Sequence, residues 1–223
     1  MKHIAHIENI FTEKFGIPRQ SGLVGVMSRI VLAEEYRYPS VYKGLEDYSH
    51  IWLLWEFSEN KKVPFSPTVR PPRLGGNTRM GVFATRSPYR PNNIGLSCVK
   101  IEKIELQTPD GPVLWVSGAD LMNGTPILDI KPYLPHADSI PDAKGGFSTQ
   151  VEWETLEVEI PENLKTLIPA EHQETIINLL SQDPRPAYQN DPEKVYGVTY
   201  GGQNIRFKVS KNILNVIEIT EAE

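Results

Sequence analysis

Nineteen prolines and sixteen glycines run through 223 residues, and this punctuation limits the fold more than any other feature. A proline inside a helix removes a hydrogen bond and clashes with the preceding turn, whereas tight turns between strands use both residue types. A helical bundle is therefore excluded, and short strands joined by turns are expected. Residues 5–11, 24–33, 51–57, 81–85, 96–106, 113–119 and 127–133 each read as a strand, with Asp110-Gly111 turning the chain between two of them. Residues 51–57 are apolar on both faces and read as a central strand. Residues 40–48 read as a short helix, and 135–146 as a linker. The chain then divides into a domain at 1–146 and a second at 147–223. In the second, 151–160 reads as a strand and 169–180 as a helix with a broad apolar face. Residues 195–200, 205–209 and 213–219 read as a small meander. The fold class is mainly β: an N-terminal barrel, or curved sheet closing on itself, followed by a small α+β domain.

Composition narrows the classes of function. A hydrophobic share of 39% with 23% charged residues supports a real core. Cys98 is the only cysteine, so an internal disulfide, a cysteine-rich zinc site and an iron–sulfur cluster are excluded. The five histidines do not cluster at metal-ligand spacing, and no metal is expected. The longest apolar run, residues 51–55, is far too short to cross a bilayer, and the opening residues hold no signal-like apolar stretch. A cytoplasmic protein without a membrane association is the expectation.

The net charge of −5 conceals a strong asymmetry. Residues 61–100 contain Lys61, Lys62, Arg70, Arg73, Arg79, Arg86, Arg90 and Lys100 and no acidic residue; the remainder holds 15 basic and 28 acidic residues. Such a segment either pairs with carboxylates elsewhere in the chain or serves an anionic partner. Five of the eight are arginines in a Gly/Pro-rich context, which suits bidentate recognition of phosphate or carboxylate.

No Walker A, G-x-S-x-G or H-E-x-x-H motif is present, and no G-x-G-x-x-G follows a strand, so a Rossmann nucleotide fold is not expected. Ser87, Ser97 and Cys98 lack a nearby histidine that would activate them. Four features are candidates for chemistry. His50 stands at the start of the apolar strand, either hydrogen-bonded structurally or handling a proton. The loop at 85–95 combines arginines, hydroxyls and asparagines just beyond a strand end. Asp129 lies among β-branched neighbours beside Lys131, which makes it either paired or functional. Asp183-Pro184-Arg185-Pro186-Ala187-Tyr188 forms a rigid connection that either only joins elements or touches a ligand.

Six blocks in order resemble the TrmO family, also called TsaA-like or YaeB-like. They are Pro18-Arg19-Gln20; Gly44-Leu45-Glu46 with Ser49-His50-Ile51-Trp52; Arg70-Pro71-Pro72-Arg73-Leu74-Gly75-Gly76-Asn77; Arg79-Met80-Gly81-Val82-Phe83-Ala84-Thr85-Arg86-Ser87; Asp129-Ile130-Lys131-Pro132-Tyr133-Leu134-Pro135; and Asp183-Pro184-Arg185-Pro186-Ala187-Tyr188. The resemblance covers both domains. It implies a single-sheet, non-Rossmann β-barrel that works as a homodimer, with the cofactor bound near the subunit interface. The implied activity is an S-adenosylmethionine-dependent tRNA methyltransferase. Its substrate would be threonylcarbamoyladenosine beside the anticodon of threonine tRNA, methylated on the exocyclic nitrogen. Carried over by motif, Pro18, Arg19, Gln20, Arg86 and Leu96 line the cofactor site, with Met122, Asn123, Gly124 and Thr125. Ser58 and Glu59 fall where the family also approaches the cofactor.

Methyl transfer is an in-line displacement that needs alignment and a poised nucleophile. The acylated substrate nitrogen has to lose a proton, to a base or directly to water. Asp129 and His50 are the residues expected to accept it, and Arg86 the one to hold a carboxylate. Tyr89, Arg90 and Tyr133 would hold the splayed base, and Arg70, Arg73 and Arg79 the tRNA backbone. Two other classes remain open: a non-catalytic RNA-binding barrel, and a small-molecule hydrolase using Asp129 and His50.

Overall fold

A computed structural model describes residues 1–60, 64–74, 77–149, 155–185 and 191–222, with the backbone alone at position 73. Lys61, Lys62, Gly75-Gly76, residues 151–154 of the expected strand, Pro186-Ala187-Tyr188 and the Arg73 side chain lie outside the described residues.

In chain order the strands are β1 (Ala5–Glu8), β2 (Met27–Leu32), β3 (His50–Glu56), β4 (Thr68–Val69), β5 (Met80–Gly81), β6 (Ile94–Glu105), β7 (Val113–Ser117), β8 (Pro126–Pro132), β9 (Glu157–Glu159), β10 (Tyr196–Tyr200), β11 (Gln203–Ser210) and β12 (Ile213–Glu221). The α-helices are α1 (Pro135–Asp138), α2 (Glu162–Lys165) and α3 (Ala170–Ser181). Six strands close into an antiparallel barrel in the order β1-β2-β7-β6-β3-β8. Closure leaves no unpaired edge, and bulges in the β3–β8 and β6–β7 pairings help the sheet curve. β6 serves two neighbours: residues 94–100 pair with β3, and residues 100–105 pair with β7.

β3 is central, as its composition implies, but its two faces differ. Ile51, Leu53 and Trp55 enter the core, while Trp52 and Leu54 lie half-buried on the outer face. The period-2 geometry of a strand forces this split. Ile7, Ile30, Leu114, Val116 and Ile127 complete the barrel interior from the other strands.

Several expected elements differ in detail. Residues 40–48 form two separate 3-10 turns, Pro39–Tyr42 and Leu45–Asp47. Gly44 between them sits at φ 85°, a left-handed value that ends the first turn. The strand expected at 81–85 is a two-residue strand followed by the 3-10 turn Val82–Ala84. The linker carries one helical turn, α1, whose Asp138 accepts hydrogen bonds from Leu134 N and Trp52 Nε1 at 2.8 and 3.0 Å.

The C-terminal sheet runs β10-β11-β12-β9, the last pair parallel. Gly201 and Gly202 make the two-residue turn of its first hairpin with φ of 58° and 81°, values at which a Cβ is costly. α3 turns Ile176, Leu179 and Leu180 onto this sheet. The second core also contains Phe11, Val24 and Val26, all from the segment between β1 and β2. Packing therefore crosses the division at 146/147: part of the N-terminal domain is built into the C-terminal one.

Candidate active site

The segment between β1 and β2 returns to the barrel through hydrogen bonds that include Gly22 N to Gly118 O at 2.8 Å, Gly118 N to Val26 O at 3.3 Å and Cys98 N to Ser21 Oγ at 3.2 Å. On its way it forms one wall of a cavity of about 530 Å³. The opposite wall is the end of β3, the start of β6 and the stretch after β7. The volume falls within the range of small-molecule sites.

The strand-built wall is tightly determined. Trp55 lies against Gly95, its register partner; a Cβ there would stand 2.2 Å from the indole, so only glycine fits. Phe57 packs against Trp55 with ring centroids 4.1 Å apart. Trp55 Nε1 donates to Ser97 Oγ at 3.0 Å, and Ser97 Oγ donates to Asp120 Oδ1 at 2.5 Å. Asp120 lines the cavity. Burial pushes its carboxyl above the usual carboxylate range, only partly opposed by the Ser97 hydroxyl, nearby backbone amides and the positive charge of Arg86.

The loop-built walls bring the basic groups. Arg86 Nη1 donates to Gln20 Oε1 at 2.6 Å, joining the two loops across the cavity. Arg90 donates from Nη1 to the carbonyls of Val82 and Thr85 at 3.1 and 2.7 Å, which fixes the 82–90 turn. Lys14 Nζ donates to the carbonyl of Glu59, joining the β1–β2 segment to the end of β3. Arg70 and Arg79 stand exposed on the neighbouring β4–β5 region, where Arg79 donates to Thr68 Oγ1 at 2.7 Å. Among the described residues, none of Arg70, Arg79, Arg86 and Arg90 is ion-paired with a carboxylate; Lys100 alone of this segment is, with Glu102 at 3.0 Å. The internal-pairing explanation of the basic segment therefore does not hold for Arg70, Arg79 and Arg90, while Arg86 acts on the Asp120 carboxyl without a direct ion pair.

Pro18, Arg19, Gln20, Ser58, Glu59, Arg86, Leu96, Met122 and Thr125 all line the cavity. Asn123 and Gly124 do not; their amides donate to the carbonyls of Phe11 and Ile7, and Asn123 Oδ1 accepts from Asn9 N. Arg90 joins the lining, with exposed Tyr89 next to it. Asp129, His50 and Tyr133 are not brought to the cavity. Asp129 pairs with Lys131 at 3.0 Å on the outer face of β8, opposite Leu54. His50 bonds Ser49 Oγ through Nδ1 and meets the edge of Tyr133, which also tilts against Trp52. His50 alternates outward from core-facing Ile51, and the bulge in the β3–β8 pairing puts Asp129 opposite outward-facing Leu54, away from the barrel interior.

Asp120 is the residue that sequence reasoning missed. Its signal was a carboxylate at the end of the apolar run Val116-Ser117-Gly118-Ala119-Asp120-Leu121. Asn60 was missed as well: it lines the cavity, and its Nδ2 is buried without a partner among the described residues. Cys98 is half-buried, and burial together with the charge of Asp138 pushes its thiol up, against a nucleophilic role.

Comparison with known proteins bears on the whole chain. The model of the tRNA-methyltransferase O N-terminal domain matches residues 6–139, and that of the TrmO C-terminal domain matches 148–222. The chain belongs to the TrmO family. The Escherichia coli K12 relative, named tRNA (adenine(37)-N6)-methyltransferase, is 41% identical over 218 residues, covering 94% of this chain and 92% of that protein. A Pseudomonas aeruginosa relative named a putative S-adenosylmethionine-dependent methyltransferase, RcsF, is 38% identical and covers 97% of this chain and 95% of its own length. The crystal structure of Pseudomonas aeruginosa TrmO superposes with a TM-score of 0.80 at 33% identity, over 99% of this chain and 95% of that one. The non-Rossmann barrel followed by a small α+β domain is thus the architecture of this TrmO-family chain.

Proposed function

We propose that this chain is a tRNA methyltransferase that uses S-adenosylmethionine to methylate N6 of the adenosine at position 37. The observation that carries this reading is the cavity itself: Arg86 and Arg90 converge on it without carboxylate partners, beside an apolar wall of Trp55, Phe57, Leu96 and Met122. Such a lining suits a ligand with a flat ring, a carboxylate and a cation. Glu56, Glu59 and Asp120 supply negative charge for the cation, and the orphan Asn60 Nδ2 supplies a donor. When bound, S-adenosylmethionine supplies an electrophilic methyl group on a sulfonium.

The protein's own groups then have three tasks. Arg86, held by Gln20, binds a carboxylate. Trp55 and Leu96 give an apolar surface for a ring. Asp120 accepts the proton of the substrate nitrogen, a role we assign to it in place of Asp129 and His50 because it alone of the three faces the cavity. Its raised proton affinity brings a carboxylate closer to that task.

The substrate nucleoside is threonylcarbamoyladenosine of threonine tRNA. Arg70, Arg73 and Arg79 bind the RNA backbone, and Tyr89 and Arg90 hold the displaced base at the cavity mouth. The working form is a cytoplasmic homodimer; Leu96, 50% exposed at the cavity edge, is an apolar group that a second copy would cover. Mass spectrometry of tRNA nucleosides from cells lacking this protein tests the substrate. Loss of the methylated threonylcarbamoyl nucleoside is expected. If a simple N6-methyladenosine disappears instead, the threonylcarbamoyl part of the reading falls and the methyltransferase part stands. Binding of RNA without methyl transfer in the presence of S-adenosylmethionine would favour the non-catalytic barrel.

A further inference from the structure

The barrel does not hold the cavity's second wall unaided. The wall residues Lys14, Ile17, Pro18, Arg19 and Gln20 lie in the segment between β1 and β2, which bonds to the barrel at both ends and at Lys14 and Gln20 and is braced from its other side by the C-terminal domain. Phe11, Val24 and Val26 anchor its two ends in the C-terminal core, with Phe15 and Ile17 packed against it. Phe11 meets Tyr200 edge-on at 6.2 Å. Tyr200 Oη donates to the carbonyl of Gly16 at 2.6 Å, and Thr199 N donates to Glu13 Oε1 at 2.9 Å. Gly16 is at φ +87°, and a Cβ there would stand 2.6 Å from Tyr200 Oη. Arg19 Nη2 donates to the carbonyls of Asp183 and Arg185, both at 3.1 Å.

Those two carbonyls are themselves fixed. Asp183 follows α3 in a left-handed conformation at φ 50°. Its carboxylate grips Arg185 at Nε and Nη2 at 2.8 and 2.9 Å, and Arg185 is only 8% exposed. This paired arginine stays inside the turn and does not reach the cavity; what the turn presents outward is a pair of backbone acceptors for Arg19. A guanidinium held this way has one orientation.

We propose that the C-terminal domain acts on the reaction as a clamp on the cofactor-facing segment, with Tyr200 and the Asp183–Arg185 turn as positioning residues for Arg19 and Gln20. The proposal rests on the reading of the cavity as the cofactor site. The domain's effect is on cofactor affinity, because it pre-organises one wall and leaves Trp55, Ser97 and Asp120 untouched.

Three variants test it in the whole 223-residue chain. Tyr200→Phe keeps the ring packing and removes only the donor to Gly16. Asp183→Gly keeps the left-handed backbone and removes the grip on Arg185, while Asp183→Asn keeps part of it. Loss of one hydrogen bond of this kind predicts an affinity for S-adenosylhomocysteine about 5-fold weaker by calorimetry. The KM for S-adenosylmethionine should rise in parallel at unchanged kcat. Hydrogen exchange of amides 14–20 should quicken while β3 and β6 keep their protection, and Asp183→Asn should fall between parent and Asp183→Gly. If the parent binds the product cofactor and the variants bind equally well with unaltered exchange, the clamp is refuted. Weakened binding with protection lost across the barrel strands would mean general destabilisation and would also refute it. If the parent itself binds no S-adenosylhomocysteine, the cofactor reading fails and takes this proposal with it.

Discussion

The cavity's two walls are made by different physics. The strand wall is held by barrel hydrogen bonds and close packing: Trp55 on Gly95, then Ser97 and Asp120 in line behind it. The loop wall is a segment without regular structure, held by a handful of contacts to a different domain. Groups that need fixed placement and a dry setting, above all the Asp120 carboxyl, sit on the first. Arg19 sits on the second, and Arg86 reaches it from the 82–90 turn through Gln20; under the proposed function these groups grip the charged ligand. Catalytic rate should therefore respond to changes in the strand wall, and affinity to changes in the loop wall.

Asp120→Asn should separate the two most sharply. It keeps an acceptor for Ser97 Oγ but loses the proton acceptor, so kcat should fall ~10²–10⁴-fold with cofactor affinity nearly intact. A fall in affinity with kcat preserved would move Asp120 into the binding set. The same variant has a signature in stability. Because burial raises the Asp120 pKa, folding favours its protonated form; that contribution is complete below the unfolded value of about 3.9 and is lost as pH rises through the folded one. Melting curves should show Asp120→Asn more stable than the parent near neutral pH and without that advantage in acid.

Arg86→Ala should weaken S-adenosylmethionine binding by ~10–100-fold, the value of a charge-assisted contact, and leave the melting temperature nearly unchanged. Unchanged affinity in calorimetry would remove Arg86 from the site. Gly95→Ala places a Cβ into the Trp55 indole and should cost about 1–3 kcal/mol of stability in denaturant unfolding, an effect that no loop-wall substitution should match. Smallest is the exposed pair: replacing Arg70 and Arg79 by Ala should weaken tRNA binding several-fold and lower the slope of log affinity against log salt by about 1.5. An unaltered slope would take both arginines off the RNA path.

Much of the fold was legible because strands and turns are local. The run at 51–57, apolar on both faces, marked β3, and the short strands at 195–200 and 205–209 marked the hairpin that Gly201 and Gly202 close in left-handed conformations. The 3-10 turns at 39–47 and 82–84 were not separable from helix or strand, since runs of three or four residues are too short to show a period. The arginine-rich segment was recognisable from charge alone, and Pro18-Arg19-Gln20 and Arg86 from their resemblance to a family.

Asp129 and His50 mark where that reading stopped. Both are conspicuous in sequence, yet strand alternation and a bulge decide which side of a barrel a residue faces, and they turn these two away from the cavity. Asp120 was inconspicuous, and its buried setting is made by Ser97 and Ser21, 23 and 99 residues away.

The sequence by itself determined the β-rich class, the two-part order of the chain and the local cluster of positive charge, because periodicity, turn chemistry and composition are properties of neighbours in the chain. Only the tertiary structure decided which carboxyl meets the cavity and that the C-terminal domain holds one of its walls. Those depend on burial and on hydrogen bonds between residues as far apart as Gly16 and Tyr200, which no local pattern encodes.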